Sequence, residues 1–272
     1  HFVSEYCAGR TPNPCIDCNR CLKFGALLDR ALLLGYDYLA TGHYARVDFD
    51  RGTGKYRLLR GRDRSKDQSY VLYQLTQHQL SHLLLPVGEY DKPTIRDSAR
   101  QAGLVNADKS DSQDICFVPD GDYVHFLQNY GGVELIPGNF VDSAGRVLGR
   151  HKGLPCYTIG QRKGLGVAAG KHVYVLRKNA ADNTILLGDN ADLFTSVLTA
   201  DRVNWISGEV PGDPIRVCAK TRYSQTEAAA TVIPLPEGRI RVEFEEPQRA
   251  VTAGQAVVLY DGEQVVGGGT IE

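Results

Sequence analysis

The sequence predicts an α/β fold that gives way to β structure, and three observations predict it. Near the N-terminus, apolar residues at helical spacing lead into a short apolar run closed by a small-residue turn. In the last third the period shortens to that of strands separated by tight turns. Between them, no Asp or Glu occurs from Ser143 to Ala181, although Arg146, Arg150, Lys152, Arg162, Lys163, Lys171, Arg177 and Lys178 all lie there. A formal net charge of −1 therefore conceals a strongly basic stretch.

Thr11-Pro12-Asn13-Pro14 is incompatible with a helix interior, because proline lacks a donor and restricts the residue before it. Phe24, Leu27, Leu28 and Ala31 then share one helical face, and Gly35 supplies the stop. Tyr38-Leu39-Ala40-Thr41 reads as a short buried strand ending at Gly42-His43. Helix, strand and small-residue turn in that order suggest part of a parallel sheet. Ligands in such sheets sit beyond the carboxyl ends of strands, which points to Gly42 and His43. From about Ser81 to Gly132 the chain reads as mainly helical. Pro93 opens one helix with Ile95, Ala99 and Ala102 on a face, and Tyr123, Phe126, Leu127 and Tyr130 mark another. Gly145 to Gly170 reads as loops or short strands. Val173–Leu176, Ile215–Cys218, Ile240–Phe244 and Ala256–Tyr260 are strand-like, with turns at Pro236-Glu237-Gly238 and Asp261-Gly262. Several such strands imply a small antiparallel β-barrel.

The 272 residues suffice for one large or two to three small domains. No apolar run reaches membrane-spanning length, and His1 to Arg10 has no apolar core of a signal peptide. Seven cysteines, an odd number, do not form a secreted disulfide framework. Four of them, Cys7, Cys15, Cys18 and Cys21, crowd the N-terminus. Cys15 and Cys18 follow the proline-rich loop and open the first helix. The partial positive charge of a helix N-terminus favours thiolate, and Arg20 and Lys23 add to it. The pattern suits nucleophilic sulfur or metal ligation, and equally a structural zinc site or cysteines used as small hydrophobes. Cys116 lies in a polar loop, whereas Cys156 and Cys218 read as structural.

Gly9 to Asn19, Ala40-Thr41-Gly42-His43-Tyr44-Ala45, Lys66-Asp67-Gln68-Ser69-Tyr70, Asp111 to Phe117 and Tyr157 to Gly166 occur in one order. With Glu246 to Val251 and Gly267-Gly268-Gly269, these blocks resemble the successive signatures of the tRNA-specific 2-thiouridylases along essentially the whole chain. The resemblance implies a truncated adenine-nucleotide alpha-hydrolase-like (PP-loop) domain, a small central domain and a C-terminal antiparallel β-barrel. The corresponding boundaries are 1–80 with 112–123, then 81–111 with 124–190, then 191–272. It implies ATP-dependent 2-thiolation of the tRNA wobble uridine, with Mg²⁺, in the cytoplasm and without a membrane. A persulfide donor, either a cysteine desulfurase or a sulfur relay protein, supplies the sulfur.

By motif position Cys18 resembles the nucleophile and Cys116 the persulfide carrier, with a disulfide between them after transfer. Asn13, Pro14 and Cys15 resemble the triplet beside the target base. Gly42 resembles an ATP contact. His43, Lys66, Asp67, Gln68, Arg162, Lys163, Arg222, Tyr223 and Gln255 resemble tRNA contacts. Some members carry Asp where this chain has Cys15, which keeps an iron–sulfur cluster on Cys15, Cys18 and Cys116 open, as it does a non-enzymatic RNA-binding module with a cysteine-ligated metal. The family's Ser-Gly-Gly-x-Asp-Ser phosphate loop is not found in these 272 residues; the resemblance places it before residue 1. The 272-residue chain alone is accordingly expected neither to hydrolyse ATP nor to thiolate tRNA. The measurement is tRNA-dependent AMP formation, and detectable product would refute the expectation.

Overall fold

The structure, a computed structural model, describes residues 1–109, 115–118, 121–168 and 170–272. The junction near 110–114 and most of the block preceding Cys116 lie outside the described residues.

A short helix, Phe2–Cys7, precedes the proline-rich loop. The next helix starts at Pro14, whose missing N–H costs nothing at a first position, and Asn13 caps it by accepting from the Cys15 amide. After one α turn it widens into a π-helix over Cys18–Leu27, then returns to α over Leu28–Leu33. Gly25 suits the wide segment, since a Cβ there would lie 2.9 Å from the Arg20 carbonyl oxygen. The widening changes which face is buried. Asn19, Phe24 and Leu28 are inside, while Leu27, expected on the apolar face from ideal α spacing, is 52% exposed. Strand β1 (Leu39–Ala40) is the only regular strand of the expected Tyr38–Thr41 run.

A hairpin of β2 (Ala45–Asp50) and β3 (Lys55–Arg60) follows. Strand β4 (Leu83–Leu84) pairs in parallel with β1, so the parallel sheet among the described residues is two strands of two residues each. Helix Lys92–Gln101 forms as expected but buries no residue fully, and helix Tyr123–Asn129 buries Leu127 and leaves Tyr130 80% exposed.

The small central domain is a four-stranded sheet ordered β6–β5–β8–β7, from β5 (Gly138–Val141), β6 (Val147–His151), β7 (Tyr174–Asn179) and β8 (Thr184–Gly188). Phe140, Tyr157, Val175 and Ile185 fill its core. The C-terminal part comprises β9 (Phe194–Trp205), β10 (Ile215–Lys220), β11 (Ala228–Leu235), β12 (Arg239–Arg249), β13 (Ala256–Asp261) and β14 (Gln264–Ile271). They pair antiparallel in the order β13–β10–β11–β12–β9–β14, and β14 returns to β13, closing a six-stranded barrel. Closure removes the sheet edges that would otherwise recruit other chains. Glycines make the closing strand thin enough. A Cβ on Gly267 would lie 2.3 Å from the Asn204 carbonyl oxygen, and one on Gly268 2.5 Å from that of Val257.

The hairpin β2–β3 adds to this barrel sheet through β14, although it precedes the barrel by more than a hundred residues. Leu58, Tyr70, Leu72, Val258 and Tyr260 share one core, and the Tyr70 hydroxyl donates to the Ala256 carbonyl at 2.8 Å. N-terminal segment and barrel are therefore packed as one body. The turn Pro86–Glu89 seats on β2 through Gly88, where a Cβ would fall 1.8 Å from the Ala45 carbonyl oxygen. Gly88→Ala must push that turn off the strand. It is expected to lower the unfolding free energy by about 2 kcal/mol or more, as overpacked sites do. A denaturant midpoint equal to that of the unmutated chain would contradict the seating.

Candidate functional site

The cysteines lie at the start of the long helix. Cys15 is exposed by surface area, yet protein atoms crowd its sulfur. Burial pushes its thiol up, and the neighbouring Cys116 and Cys18 push further, while Lys23 opposes them. Cys18 and Cys116 are thus each within electrostatic reach of Cys15, and for Cys116 no spacing in the sequence required it. Cys18 is half-buried and Cys116 exposed. Phe117 holds the second loop down by edge-on contact with Phe2 at 5.3 Å and a tilted ring contact with Phe126 at 5.1 Å. Among the described residues no three His, Cys, Asp or Glu side chains are gathered where one metal ion could be held. The alternative ligand set Cys15, Cys18 and Cys116 is therefore neighbouring but not assembled around a point, and no carboxylate cage for Mg²⁺ is seen among the described residues.

Gly42 follows β1 in an open position, with no atom within 4 Å of where its Cβ would be. His43, expected as a tRNA contact, is 8% exposed. Its Nδ1 lies 2.8 Å from Thr41 Oγ1 and its Nε2 3.3 Å from Lys23 Nζ. Burial first, and then the Lys23 charge, lower its pKa to about 4. The neutral ring can accept the Lys23 proton at Nε2 only if Nδ1 carries the hydrogen and donates to Thr41. Asp67 is also turned inward. Its carboxylate accepts from the amides of Gly61 and Ser69 and from the Ser69 hydroxyl at 2.9–3.1 Å. Gln68 accepts from the Tyr44 amide at 3.0 Å. This pair braces the loop that carries Lys66, which is half-exposed.

Arg222 and Gln255 connect domains. Arg222 Nη2 donates to the Ile159 carbonyl (3.2 Å), the Ala250 carbonyl (2.9 Å) and Thr252 Oγ1 (2.8 Å). Gln255 Nε2 donates to the Thr11 carbonyl at 2.7 Å, and the Thr11 amide donates to Ala253 at 2.9 Å. Tyr223 is 42% exposed, edge-on to Tyr70, with Lys220 Nζ 6.0 Å from its ring. Of the basic stretch, Arg150, Lys152, Arg162, Lys163 and Arg177 are exposed. Arg146 pairs with Asp142, and Lys171 with Asp189. Lys178 does not join that surface. Its enclosed ammonium donates to the Tyr157 carbonyl at 3.0 Å, and burial brings its pKa down to about 8. The Arg162-Lys163 loop is shaped by Gln161, whose side chain accepts from the Thr158 amide and donates to the Lys163 carbonyl, both at 3.0 Å. Gly160, at φ +86, lets it approach Ala250, since a Cβ would sit 2.9 Å from the alanine Cβ.

Three family models cover most of the chain. Residues 1–120 match a model described as tRNA methyl transferase HUP domain, 124–189 one described as tRNA methyl transferase PRC-barrel domain, and 195–271 one described as Aminomethyltransferase beta-barrel domain. The chain is 55% identical over 273 residues to the tRNA-specific 2-thiouridylase MnmA of Moorella thermoacetica, covering 100% of this chain and 76% of that protein. It is 50% identical to the protein of that name from Acetivibrio thermocellus, with 100% and 76% covered. With the one from Carboxydothermus hydrogenoformans the identity is 53%, with 100% and 74% covered.

The buried neutral His43 makes stability depend on pH in a defined direction. Its folded pKa, about 4, lies below the ordinary value of 6.5. Between those values the unfolded chain binds a proton that the folded chain does not. The contribution is complete above pH 6.5 and is lost as pH falls towards 4. From this group alone, the unfolding free energy is expected to be about 2 kcal/mol lower at pH 5 than at pH 7. Urea titrations of the chain and of His43→Asn check this. Equal pH slopes for the two would contradict a buried neutral imidazole.

Proposed function

The chain belongs to the tRNA-specific 2-thiouridylase family, and from that membership we propose that Cys18 and Cys116 carry the sulfur in ATP-dependent 2-thiolation of the wobble uridine. One observation supports the assignment of roles: two segments separated by about a hundred residues bring Cys116 within electrostatic reach of Cys15, which with Cys18 opens the capped helix. The HUP domain match fits ATP as the activating substrate, which transfers AMP to the uridine O2 and releases pyrophosphate. Gly42, open at the end of a parallel strand, is suited to contact that nucleotide.

The terminal sulfur of a Cys116 persulfide attacks C2, and AMP leaves with the former carbonyl oxygen. The Cys18 thiolate then attacks the Cys116 sulfur. The persulfide S–S bond breaks, leaving sulfur on C2, and a Cys18–Cys116 disulfide forms, to be reduced before another turn. A sulfur-carrying protein or enzyme must recharge Cys116 with persulfide. Asn13, Pro14 and Cys15 stand beside Cys18 and would meet the target base. The exposed cations Arg162 and Lys163 with Lys66, and Tyr223 on the barrel, would meet the tRNA. Lys and Arg gain affinity there by releasing counterions from phosphates. Arg222, Gln255, Asp67 and Gln68 act on this reading chiefly by fixing the loops that make contact. No helix among the described residues is long and apolar enough to cross a membrane.

In a protein carrying the family's phosphate loop, Cys18→Ser and Cys116→Ser are each expected to abolish thiolation and leave tRNA binding largely intact. Cys156→Ser and Cys218→Ser should keep activity. Full activity of Cys116→Ser, read as 2-thiouridine by nucleoside mass spectrometry, would refute the carrier assignment. Arg162→Glu with Lys163→Glu should weaken tRNA binding at least tenfold and flatten its salt dependence, whereas Lys92→Glu should not. Equal effects of the two changes would refute the basic loop as the tRNA surface.

A further inference from the structure

The basic stretch encloses a cleft whose backbone is built for an anion. Arg162, Gly164, Gly166, Lys171 and His172 line an opening of about 200 Å³ on the central domain. Leu165 and Val173, 6% and 8% exposed, are sunk into the core beneath it with Phe140 and Val175, so both walls stand on packed side chains. Gly164 and Gly166 adopt φ +76 and +66, whereas Lys163, Leu165 and Val167 beside and between them do not enter the positive region. Alternation of this kind turns successive N–H groups towards one side and makes a concavity for an anion. Lack of space is not the reason for these glycines. A Cβ on Gly166 would meet no atom within 4 Å, and one on Gly164 only the Gln161 amide nitrogen at 3.9 Å. What glycine supplies there is the backbone conformation. The N–H groups of Gly164, Gly166 and Val167 donate to no acceptor among the described residues. The Arg162 guanidinium and the His172 ring, both exposed, have no hydrogen-bond or ionic partner among those residues either. Asp189 holds Lys171 at 2.7 Å on the rim, and an ammonium with three N–H groups keeps donors to spare. No carboxylate lines the cleft.

We propose that this cleft is a phosphate site: the N–H groups of Gly164, Gly166 and Val167 hold the anionic oxygens, Arg162, Lys171 and His172 surround them, and the occupant is one backbone phosphate of the bound tRNA. The choice of occupant rests on the tRNA reading, whereas the chemistry of the cleft does not. Within that reading the site separates two neighbouring cations. Arg162 lines the cleft and grips a fixed phosphate, while Lys163 lies outside it and adds only to the general positive field. Backbone amides and cations on a phosphate carry no base sequence, so the contact sets the register of the tRNA on the central domain and leaves base recognition to other residues.

The test has two arms. In the first, the full ¹⁵N-labelled chain is titrated with inorganic phosphate at constant ionic strength. Saturable shifts are expected at the amides of Gly164, Gly166 and Val167, with none from chloride. Gly166→Val places its side chain in open space but opposes a positive φ, and should weaken phosphate about tenfold. Lys171→Gln should weaken it as well, and Lys152→Gln, an equal loss of charge outside the cleft, should not. In the second arm, tRNA binding is measured across a range of KCl concentrations. Gly166→Val and Lys171→Gln should each lower affinity, and Lys171→Gln should reduce the salt slope by about 1. No saturation by inorganic phosphate, or equal weakening in Lys171→Gln and Lys152→Gln, would overturn the site. Phosphate saturation with unchanged tRNA affinity in both variants would overturn tRNA as its occupant. The first arm contains no tRNA, so it decides the cleft independently of whether the protein acts on tRNA.

Discussion

One segment of the barrel holds the rest of the site in place: the turn from Arg249 to Gln255. Ala253 and Gln255 grip Thr11, one turn before the cysteines, and the Ala250 carbonyl shares the Arg222 guanidinium with Ile159 of the basic loop. Close approach is possible because Gly254 adopts φ +87, where a Cβ would come within 3.0 Å of the Thr11 nitrogen. Hydrogen bonds to a charged group contribute about 1.5–3 kcal/mol each, and the two N–H groups of the half-buried Arg222 Nη2, shared among three acceptors, make a firm joint. Ala250 itself sits at φ +55, a strained value for a residue with a side chain, at the centre of these contacts. The β-barrel thereby fixes the relative position of the N-terminal cysteines and the cationic loop.

From this joint the order of the remaining parts follows. The grip on Thr11 delivers Asn13 to cap the helix, and the cap leaves Cys15 and Cys18 on its first two turns. The π segment then turns Phe24 into the core and Lys23 towards His43. The hairpin β2–β3, paired to the closing strand of the barrel, starts directly after His43 and holds β1 against the same body. The cysteines, the strand end that bears Gly42 and the basic loop are therefore all referred to one barrel, an arrangement that suits the proposed reading of a large substrate meeting each of them at once.

Much of this was legible in the sequence, and the misses have physical causes. The helix after the proline loop, the parallel strand and the switch to strand period follow from local pattern. The cysteine pair was visible because its neighbours are polar and a cap precedes it. The burial of His43 was not visible, because its anchors Lys23 and Thr41 come from different elements. The inward roles of Asp67 and Arg222 were hidden for the same reason: a charged residue in a loop looks the same whether it meets solvent or backbone amides. The closing strand Gln264–Ile271 was concealed by three consecutive glycines, which lower strand propensity locally and are demanded by crossing neighbours. Ideal α periodicity misplaced Leu27 because no sequence rule announced the π-helix. The hairpin at 45–60 was invisible as part of the barrel, since its partner strand lies some two hundred residues away.

The central claim is that Cys18 and Cys116, from distant segments, form one thiol pair. Mild oxidation of the chain with a diamide-type reagent, followed by non-reducing peptide mapping, tests it directly. The Cys18–Cys116 disulfide is expected to accumulate first among all pairings of the seven cysteines and to be undiminished when Cys7 and Cys21 are replaced by Ser. Predominant Cys15–Cys18 or Cys18–Cys21 products, with Cys116 left reduced, would contradict it.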